Sequence, residues 1–268
     1  MKRNKRLAII IDELTNNPCK LYESKYFCDK FDIAKSSLSE DIALANEVFT
    51  ENGTGKIDSM SGTHGGFKYV PGISRDKIKS LQDELCEKLS DGDRIVGGGF
   101  LYTSDIMFDG NLVSNMARVF VQKFYELDAD YIVTVETKGI PLASQVAKML
   151  NLPLVVIRRE ARYSEGSTVS INFFSGSSDR IQKMSIAKRA VEPGRKAIII
   201  DDFMRAGGSM KGIQEILSEF DVETVGMGVA VVAKEPQKKK VENYISIVQL
   251  DSIDEIKNII KITPNLNI

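Results

Sequence analysis

The sequence predicts an α/β protein of two modules, a small helical module that ends in a β-hairpin and a larger module with a parallel sheet flanked by helices. Residues 1–74 contain three segments with the apolar spacing of a helix, followed by two short strand-like runs around a glycine-rich tip. Residues 75–268 alternate β-branched apolar runs with amphipathic helices, the pattern of parallel β-α-β units. Pro71-Gly72-Ile73-Ser74 forms the boundary between them.

The composition narrows the function classes. The chain has 268 residues, 43% of them hydrophobic and 27% charged, and a formal net charge of -1, which gives no global reason to expect nucleic-acid binding. No opening run resembles a signal peptide, and none approaches the roughly 20 apolar residues that span a bilayer. Three cysteines without a Cys-x-x-Cys unit favour a reducing compartment. We expect a cytoplasmic protein with no membrane partner.

The single histidine, His64, excludes multi-histidine zinc sites and leaves only one candidate for a histidine-dependent triad. Its glycine neighbours place it in a surface loop. We therefore predict no metal site and assign no catalytic residue.

The first module begins with three predicted helices. Residues 7–14 carry apolar side chains at helical spacing, residues 21–31 offer a second helix, and a third is predicted to open at Ser37, where Ser37-Leu38-Ser39-Glu40 has the form of a capping box. Residues 56–60 and 67–70 then form a predicted hairpin.

This order of elements resembles a winged helix-turn-helix, and residues 35–42 resemble the start of its recognition helix. The resemblance implies binding of duplex DNA, with the helix N-terminus in the major groove. Ten Lys/Arg offset ten Asp/Glu in residues 1–74, so the surface must be polarised; a helical interaction or dimerisation domain is the alternative. The candidate DNA contacts are Lys35, Ser36, Ser37 and Ser39 on the helix, Lys2, Arg3, Lys5 and Arg6 at the amino end, and Lys56, His64 and Lys68 on the wing.

The second module alternates helices and strands. Its apolar side chains repeat at i, i+3 and i+4 in the helices and run consecutively in the buried strands. In order, we predict a helix over 78–89, a bend at Gly97-Gly98-Gly99, a strand over 131–135, a helix over 143–150, a strand over 154–157, a loop and hairpin within 158–178, a strand over 197–200, a helix over 213–220, and strands over 225–232 and 245–250.

The most informative stretch is the strand 197–200 with the residues that follow it. Asp201 and Asp202 are predicted to end the strand at the carboxyl edge of the sheet, where open α/β sheets bind ligands. The small residues of Ala206-Gly207-Gly208-Ser209 let backbone N–H groups approach an oxyanion, and the next helix points its positive end at the same place. Paired acids beside a phosphate cradle suit a sugar phosphate. A βα turn without a ligand is the alternative.

A second loop has the same character. The strand 131–135 ends in Glu136-Thr137-Lys138-Gly139 before a helix. If both strands are parallel, Lys138 and the Gly139 backbone lie at the same sheet edge as Asp201. By contrast, Lys238-Lys239-Lys240 follows a proline and is interpreted as a solvated turn.

Both loops resemble those of the type I phosphoribosyltransferases. In that family the paired acids hold ribose hydroxyls and the two loops hold the 5′-phosphate and the pyrophosphate of phosphoribosyl pyrophosphate (PRPP), and a hood hairpin like residues 158–178 covers the site. This chain departs from the usual Thr-Gly-x-Thr phosphate loop at residues 206–209, where one hydroxyl replaces two. The implied effector site is Tyr102, Thr137, Lys138, Gly139, Arg158, Asp201, Asp202, Phe203, Met204, Arg205, Ala206, Gly207, Gly208 and Ser209.

Over its full length the chain resembles the Gram-positive purine operon repressors, which join a winged helix (here residues 1–74) to a phosphoribosyltransferase-like domain (75–268). The resemblance implies a homodimeric repressor of purine biosynthesis genes, with PRPP as inducer, guanosine tetraphosphate as a competing ligand, magnesium as an accompanying ion and no obligatory cofactor. We expect no transferase activity. An active adenine- or xanthine-type phosphoribosyltransferase, a bifunctional enzyme-regulator, and a nucleotide-sensing scaffold that does not bind DNA are the alternatives.

Overall fold

A computed structural model describes residues 1–60, 62, 65–160, 166–175 and 180–268, without the side chains of residues 174, 175, 180 and 181. His64 and residues 161–165 and 176–179, which belong to the predicted wing and hood, lie outside the described residues. None of the helices in the described part of the chain combines the length and the apolar character needed to span a bilayer.

The first module is a helical bundle closed by an antiparallel sheet of order β1-β3-β2. Its three helices and the β2-β3 hairpin are those predicted from the sequence, and the short strand β1 completes the element order of a winged helix-turn-helix. Along the chain these are α1 (Arg3–Asn16), β1 (Tyr22–Glu23), α2 (Ser24–Phe31), α3 (Lys35–Glu51), β2 (Gly55–Met60) and β3 (Gly66–Pro71).

Two predicted helix starts are wrong. The second helix begins at Ser24 rather than at residue 21, because Tyr22 and Glu23 pair with β3. The third begins at Lys35 after an N-cap at Ala34, so Ser37 lies inside the helix and does not cap it. Asp32 adopts a left-handed conformation at the end of α2 (φ 51°), which turns the chain early enough for α3 to start before the predicted capping box.

A buried ion pair ties α1 to α3. Arg6 Nε donates to Asp41 Oδ2 at 2.6 Å and Arg3 Nε donates to Asp41 Oδ1 at 2.9 Å. Asp41 is fully buried and Arg6 nearly so. Burial alone raises the pKa of Asp41, but the two arginines outweigh it and hold that pKa below its ordinary value.

The larger module is a six-stranded sheet of order β13-β12-β11-β10-β6-β7, parallel except for the edge strand β13. The predicted β-α-β units are confirmed. The hood hairpin is also present, but its second strand, Arg180–Ala187, lies beyond the predicted limit at residue 178. Its elements are α4 (Arg75–Leu89), β4 (Ile95–Val96), β5 (Phe100–Leu101), α5 (Ser104–Met107), α6 (Gly110–Phe124), β6 (Tyr131–Val135), α7 (Gly139–Leu150), β7 (Leu154–Ile157), β8 (Thr168–Ser175), β9 (Arg180–Ala187), β10 (Lys196–Met204), α8 (Gly208–Ser218), β11 (Glu223–Ala233), β12 (Ile245–Asp254) and β13 (Ile259–Pro264).

The sheet separates two apolar cores. Helices α4, α6 and α7 pack on one face, and α8 with the β8-β9 hairpin packs on the other. Alternate residues of β10 point to opposite faces of the sheet. Ile198 and Ile200 pack in one core, and Ile199 packs in the other. A strand covered on both faces needs a continuous apolar run, which is why this segment is so distinctive in the sequence.

Helix α6 also forms the contact between the modules. The Arg118 guanidinium donates to the backbone oxygens of Thr54 and Gly72, and the Gln122 side chain accepts from the backbone N–H of Ile73. The hydroxyl of Tyr125 accepts from Lys56 Nζ at 2.7 Å. One helix of the second module therefore holds the base of the wing and the linker that follows it.

We predict that Asp41→Asn destabilises the first module. Neutralising one partner leaves Arg6 buried with no counter-charge, a change that typically costs on the order of 3–5 kcal/mol. Since the pKa of Asp41 is lowered on folding, the wild-type advantage should be present above about pH 4 and lost as the pH falls through the folded pKa. Thermal unfolding followed by circular dichroism at several pH values measures this. The exposed neighbour Glu40→Gln is the control; equal melting of the two variants at pH 7 would contradict the prediction.

Candidate functional site

The central cleft opens where β10 and β6 separate. The two strands pair only over Ala197–Ile199 on the β10 side, whereas β10 stays paired to β11 as far as Met204. From β6 the chain turns outward to β7, and β11 and β12 lie on the other side of β10. This is the topological switch point of the sheet, where open α/β folds bind ligands. The cleft has a volume of about 620 Å³.

The paired acids lie inside the last part of β10 rather than beyond its end, which corrects the predicted strand boundary. Asp201 and Phe203 still pair with Val229 and Val231 of β11. The strand continues because β11 is 11 residues long and offers partners up to Val232. On its other side β10 has lost β6, so both carboxylates border the cleft.

Most predicted effector residues line this cleft. They come from the loop after β6 and from the end of β10 with the start of α8. The predicted residues that line it are Thr137, Lys138, Asp201, Asp202, Phe203, Met204, Arg205, Ala206, Gly207, Gly208 and Ser209.

The placement of three others differs from the prediction, and one of them, Gly139, is buried and is not among the described lining residues. Tyr102 is 46% exposed and is not among the described lining residues, whereas its neighbours Leu101 and Thr103 are. Arg159 lines the cleft in place of Arg158, which makes an ion pair with Glu136 at 3.2 Å and a backbone bridge to Ser185 of the hood hairpin. Alternation along an extended chain turns consecutive side chains in opposite directions, so a one-residue difference moves an arginine out of the site.

Gly139 lies in close contact with Asp201 of β10 and Thr134 of β6. A Cβ atom at this position would lie 2.6 Å from Asp201 Oδ1 and 2.6 Å from the hydroxyl oxygen of Thr134. Real side chains do not tolerate such distances, so only glycine lets the first turn of α7 approach the carboxylate. The Thr134 hydroxyl is fully buried and lacks a hydrogen-bond partner among the described residues.

The carboxyl groups of Asp201 and Asp202 are largely shielded from solvent, which raises the energetic cost of ionising them. Burial, reinforced by the neighbouring Asp202 carboxylate, raises the pKa of Asp201 well above its ordinary value. Burial also raises the pKa of Asp202, which the hydrogen bond with Asp201 and the Lys138 cation partly offset. A ligand that donates hydroxyl hydrogen bonds, or brings a cation, relieves this cost.

The loop from Ala206 to Ser209 is built for an anion. Gly207 adopts a left-handed conformation (φ 81°) as the N-cap of α8, an 11-residue helix. The first N–H groups of α8 therefore face the cleft with the positive end of the helix dipole. Arg205 and Lys138 add cationic charge to the same cavity.

Of the two segments that form the opposite wall, the sequence assigned only Tyr102 to the site, and Tyr102 itself is not among the described lining residues. Phe100, Leu101 and Thr103 follow the glycine bend, and Leu250 to Ile253 with Glu255 come from β12 and the turn after it. The described lining residues include six acidic side chains and three basic ones. The acids are Glu136, Asp201, Asp202, Glu235, Asp251 and Glu255, and the bases are Lys138, Arg159 and Arg205. The described residues hold no group of three or more side chains able to bind a metal by themselves.

The first module presents a separate polar surface at the start of α3. Lys35, Ser36 and Ser39 are exposed and Ser37 is half-buried. Because Ala34 supplies no side-chain cap, the first N–H groups of α3 remain available to an anion such as a phosphate. The Arg3–Asp41 contact brings the start of α1, with the exposed Lys2 and Lys5, beside this helix.

Two predicted DNA contacts do not belong to that surface. Arg6 is buried against Asp41, and Lys56 is held by Tyr125 and by Asp58 at 3.1 Å in the contact between modules. Both cations have intramolecular partners that a sequence pattern cannot show. Lys68 lies half-buried on β3.

Known protein families resemble both modules of the chain. The sequence pattern described as "Bacterial purine repressor, N-terminal" matches residues 2–71, and the "Phosphoribosyl transferase domain" pattern matches residues 109–264. The chain is 39% identical over 96% of its length to the probable purine biosynthesis transcriptional regulator of Streptococcus pneumoniae, of which it covers 94%. It is 38% identical over 94% of its length to the purine biosynthesis transcriptional repressor of Bacillus subtilis, of which it covers 89%. The chain belongs to the bacterial purine repressor family.

The family also includes differently described members. A purine biosynthesis transcriptional activator of Lactococcus lactis is 33% identical over 95% of this chain and is covered to 94%. For the second module, the adenine phosphoribosyltransferase of Rhodothermus marinus superposes with a TM-score of 0.54 at 17% identity, covering 64% of this chain and 99% of that one. That likeness establishes the fold of the domain. The predicted α/β class and the predicted family are thereby confirmed.

We predict that Asp201→Asn stabilises the ligand-free protein at pH 7. The folded state holds the Asp201 proton more tightly than the unfolded state does, so stability falls as the pH rises from about 3.9 through the raised pKa. Asparagine avoids this cost and still accepts the Asp202 N–H, which lies 2.9 Å from Asp201 Oδ1.

Each kcal/mol gained should raise the melting temperature by about 2–4 °C in a chain of this size, and the gain should disappear near pH 4. Differential scanning calorimetry against pH measures it, with the exposed Glu215→Gln on α8 as control. A lower melting temperature than wild type at pH 7 would show that the buried charge does not cost stability.

Proposed function

We propose that this protein is a cytoplasmic, DNA-binding transcriptional repressor of purine biosynthesis genes whose second domain binds PRPP as inducer. The observation that carries the proposal is the meeting of Asp201 and Asp202, the Thr137–Gly139 loop and the 206–209 loop at one switch point, on the same chain as a winged helix. The Bacillus subtilis relative is described as a repressor of purine biosynthesis, which supports the regulatory part.

The cleft supplies a suitable partner for each part of PRPP. The carboxylates accept hydrogen bonds from the vicinal ribose hydroxyls. The N-terminus of α8 and Arg205 receive the 5′-phosphate, and Lys138 with the backbone of the 137–139 loop receives the pyrophosphate. Arg159 is the cation we assign to the hood side of the pyrophosphate, in place of Arg158.

Magnesium has a physical role in this scheme. The excess of acids over bases repels a polyanion, and no described group of three acids, histidines or cysteines holds a metal unaided. We propose that Mg²⁺ arrives with the diphosphate, which supplies the remaining oxygen ligands. No other cofactor is required.

Helix α6 gives the effector a route to the DNA-binding module. The cleft wall at Leu101 and Thr103 leads into α5 and α6, and α6 holds the wing through Arg118 and Gln122. A homodimer would place two recognition helices on one operator, as in other helix-turn-helix proteins. Guanosine tetraphosphate, which presents a diphosphate and a purine ring, is the competing ligand that we propose for the same cleft.

Transferase activity is the alternative function. The phosphoribosyltransferase fold favours it, as does the well-formed site. We propose binding without transfer, because the phosphate loop carries a single hydroxyl at Ser209 and no described residue of the hood hairpin has an evident catalytic role. An inducer that its own sensor consumed would also report poorly on its concentration.

Retention of purine-gene promoter DNA with and without magnesium-PRPP tests the regulatory proposal. Wild type should bind the promoter with an affinity that falls steeply with salt, because neutralised phosphates release counterions, and PRPP should release the DNA. Asp201→Ala with Asp202→Ala should bind DNA normally and lose the response. Lys35→Ala should weaken DNA binding, whereas Lys79→Ala on the exposed face of α4 should not. Tighter promoter binding in the presence of PRPP would overturn its role as inducer.

Multiple-turnover assays decide between sensor and enzyme. We expect no nucleotide to form when the protein is incubated with magnesium, PRPP and each of adenine, guanine, hypoxanthine and xanthine. Chromatography of the products, with an authentic adenine phosphoribosyltransferase as positive control, measures this. Sustained nucleotide formation with any base would establish an enzyme instead.

A further inference from the structure

In the lysine triplet after β11, Lys238 and Lys240 are exposed as predicted, but Lys239 is half-buried and makes hydrogen bonds within the protein. The triplet lies in the segment 234–244 that connects β11 to β12. Lys239 Nζ donates to three backbone carbonyl oxygens, those of Ala233 at 2.5 Å, Lys234 at 3.2 Å and Pro236 at 2.6 Å. An ammonium group has three protons, so these carbonyls use its full donor capacity.

These three bonds fix the cleft wall on one side of the segment. Ala233 and Glu235 line the cleft, and the Lys239 ammonium gathers the backbone around them into one tight turn. Without that cation, the three carbonyl oxygens would lose their common partner.

The same turn supports the phosphate loop from behind. The backbone N–H of Lys240 donates to the oxygen of Ala206 at 2.9 Å. Val241 Cγ2 lies 3.1 Å from the position that a Cβ would take on Gly207, so it packs directly against the left-handed N-cap of α8. The conformation of residues 206–209 therefore depends on where Lys239 places residues 240 and 241.

We propose that Lys239 is a positioning residue for the ligand's phosphate monoester, acting through the backbone of residues 240–241 on the 206–209 loop. The inference rests on the proposed function, since it assigns this loop to the 5′-phosphate. Lys239 makes no contact with the ligand in this scheme. Burial lowers the pKa of Lys239, the nearby Glu235 carboxylate partly offsets this effect, and the Arg205 guanidinium adds to it.

The two anionic subsites allow a selective test. Ribose 5-phosphate probes the 206–209 loop, and inorganic pyrophosphate with magnesium probes the 137–139 loop on the other side of the acids. Lys239→Met keeps the length of the side chain and removes its donors. Lys238→Met, at the exposed neighbouring position, is the matched control.

We expect Lys239→Met to raise the Kd for ribose 5-phosphate about tenfold or more and the Kd for pyrophosphate less than about twofold, as measured by calorimetric titration of the full chain. Lys238→Met should match wild type for both probes. Hydrogen exchange at the Lys240 amide should accelerate in Lys239→Met only. If that variant does not fold, Lys239→Gln, which retains a short donor, carries the same expectations.

Equal losses for both probes, or no loss for ribose 5-phosphate, would overturn the positioning role. Wild type that binds ribose 5-phosphate but not PRPP would contradict the proposed effector and leave the Lys239 comparison intact. Wild type that binds neither probe nor PRPP would overturn both proposals.

Discussion

Only a hydrogen atom fits between the backbone of residue 139 and the carboxylate of Asp201. That contact forces the first turn of α7 against the end of β10, and it is possible only because β6 leaves β10 after Ile199 while β11 continues alongside. The resulting gap is the cleft. The two loops that we propose to bind anions meet the paired acids there because of one strand separation and one glycine, and the other walls complete the enclosure.

Burial of the two acids carries an energetic cost. A buried carboxylate beside a second one favours the neutral form, and Lys138 only partly compensates. Such local instability is typical of ligand sites, since the missing partners arrive with the ligand. In this protein the ligand-free cleft is also adjacent to the segment that leads into α6, the helix that holds the wing. A change in the cleft is therefore well placed to reach the DNA-binding module.

The sequence was most informative where chemistry and secondary structure share a short segment. The β10–α8 stretch and the β6–α7 loop could be predicted from the sequence. In each of them an apolar run is followed directly by acidic residues or glycines and then by an amphipathic helix. Helix α6 was not predicted, although Leu112, Met116, Phe120 and Phe124 repeat every four residues after the N-cap Asp109, and these signals could have identified it. Arg6, Lys56 and Lys239 could not be assigned from sequence, because each depends on a partner, Asp41, Tyr125 or a set of carbonyls, that only the fold brings near. For the same reason, no local sequence pattern indicated that residues of β12 form a wall of the cleft.

The central claim is that the cleft and the DNA-binding surface are linked sites of one regulator. Linkage is reciprocal: the factor by which PRPP weakens operator binding must equal the factor by which operator DNA weakens PRPP binding. The decisive measurement is the Kd of magnesium-PRPP for the full chain, with and without saturating purine-gene operator duplex. The account predicts a higher Kd in the presence of operator, by the same factor as the loss of DNA affinity. A PRPP affinity that operator DNA leaves unchanged would contradict it.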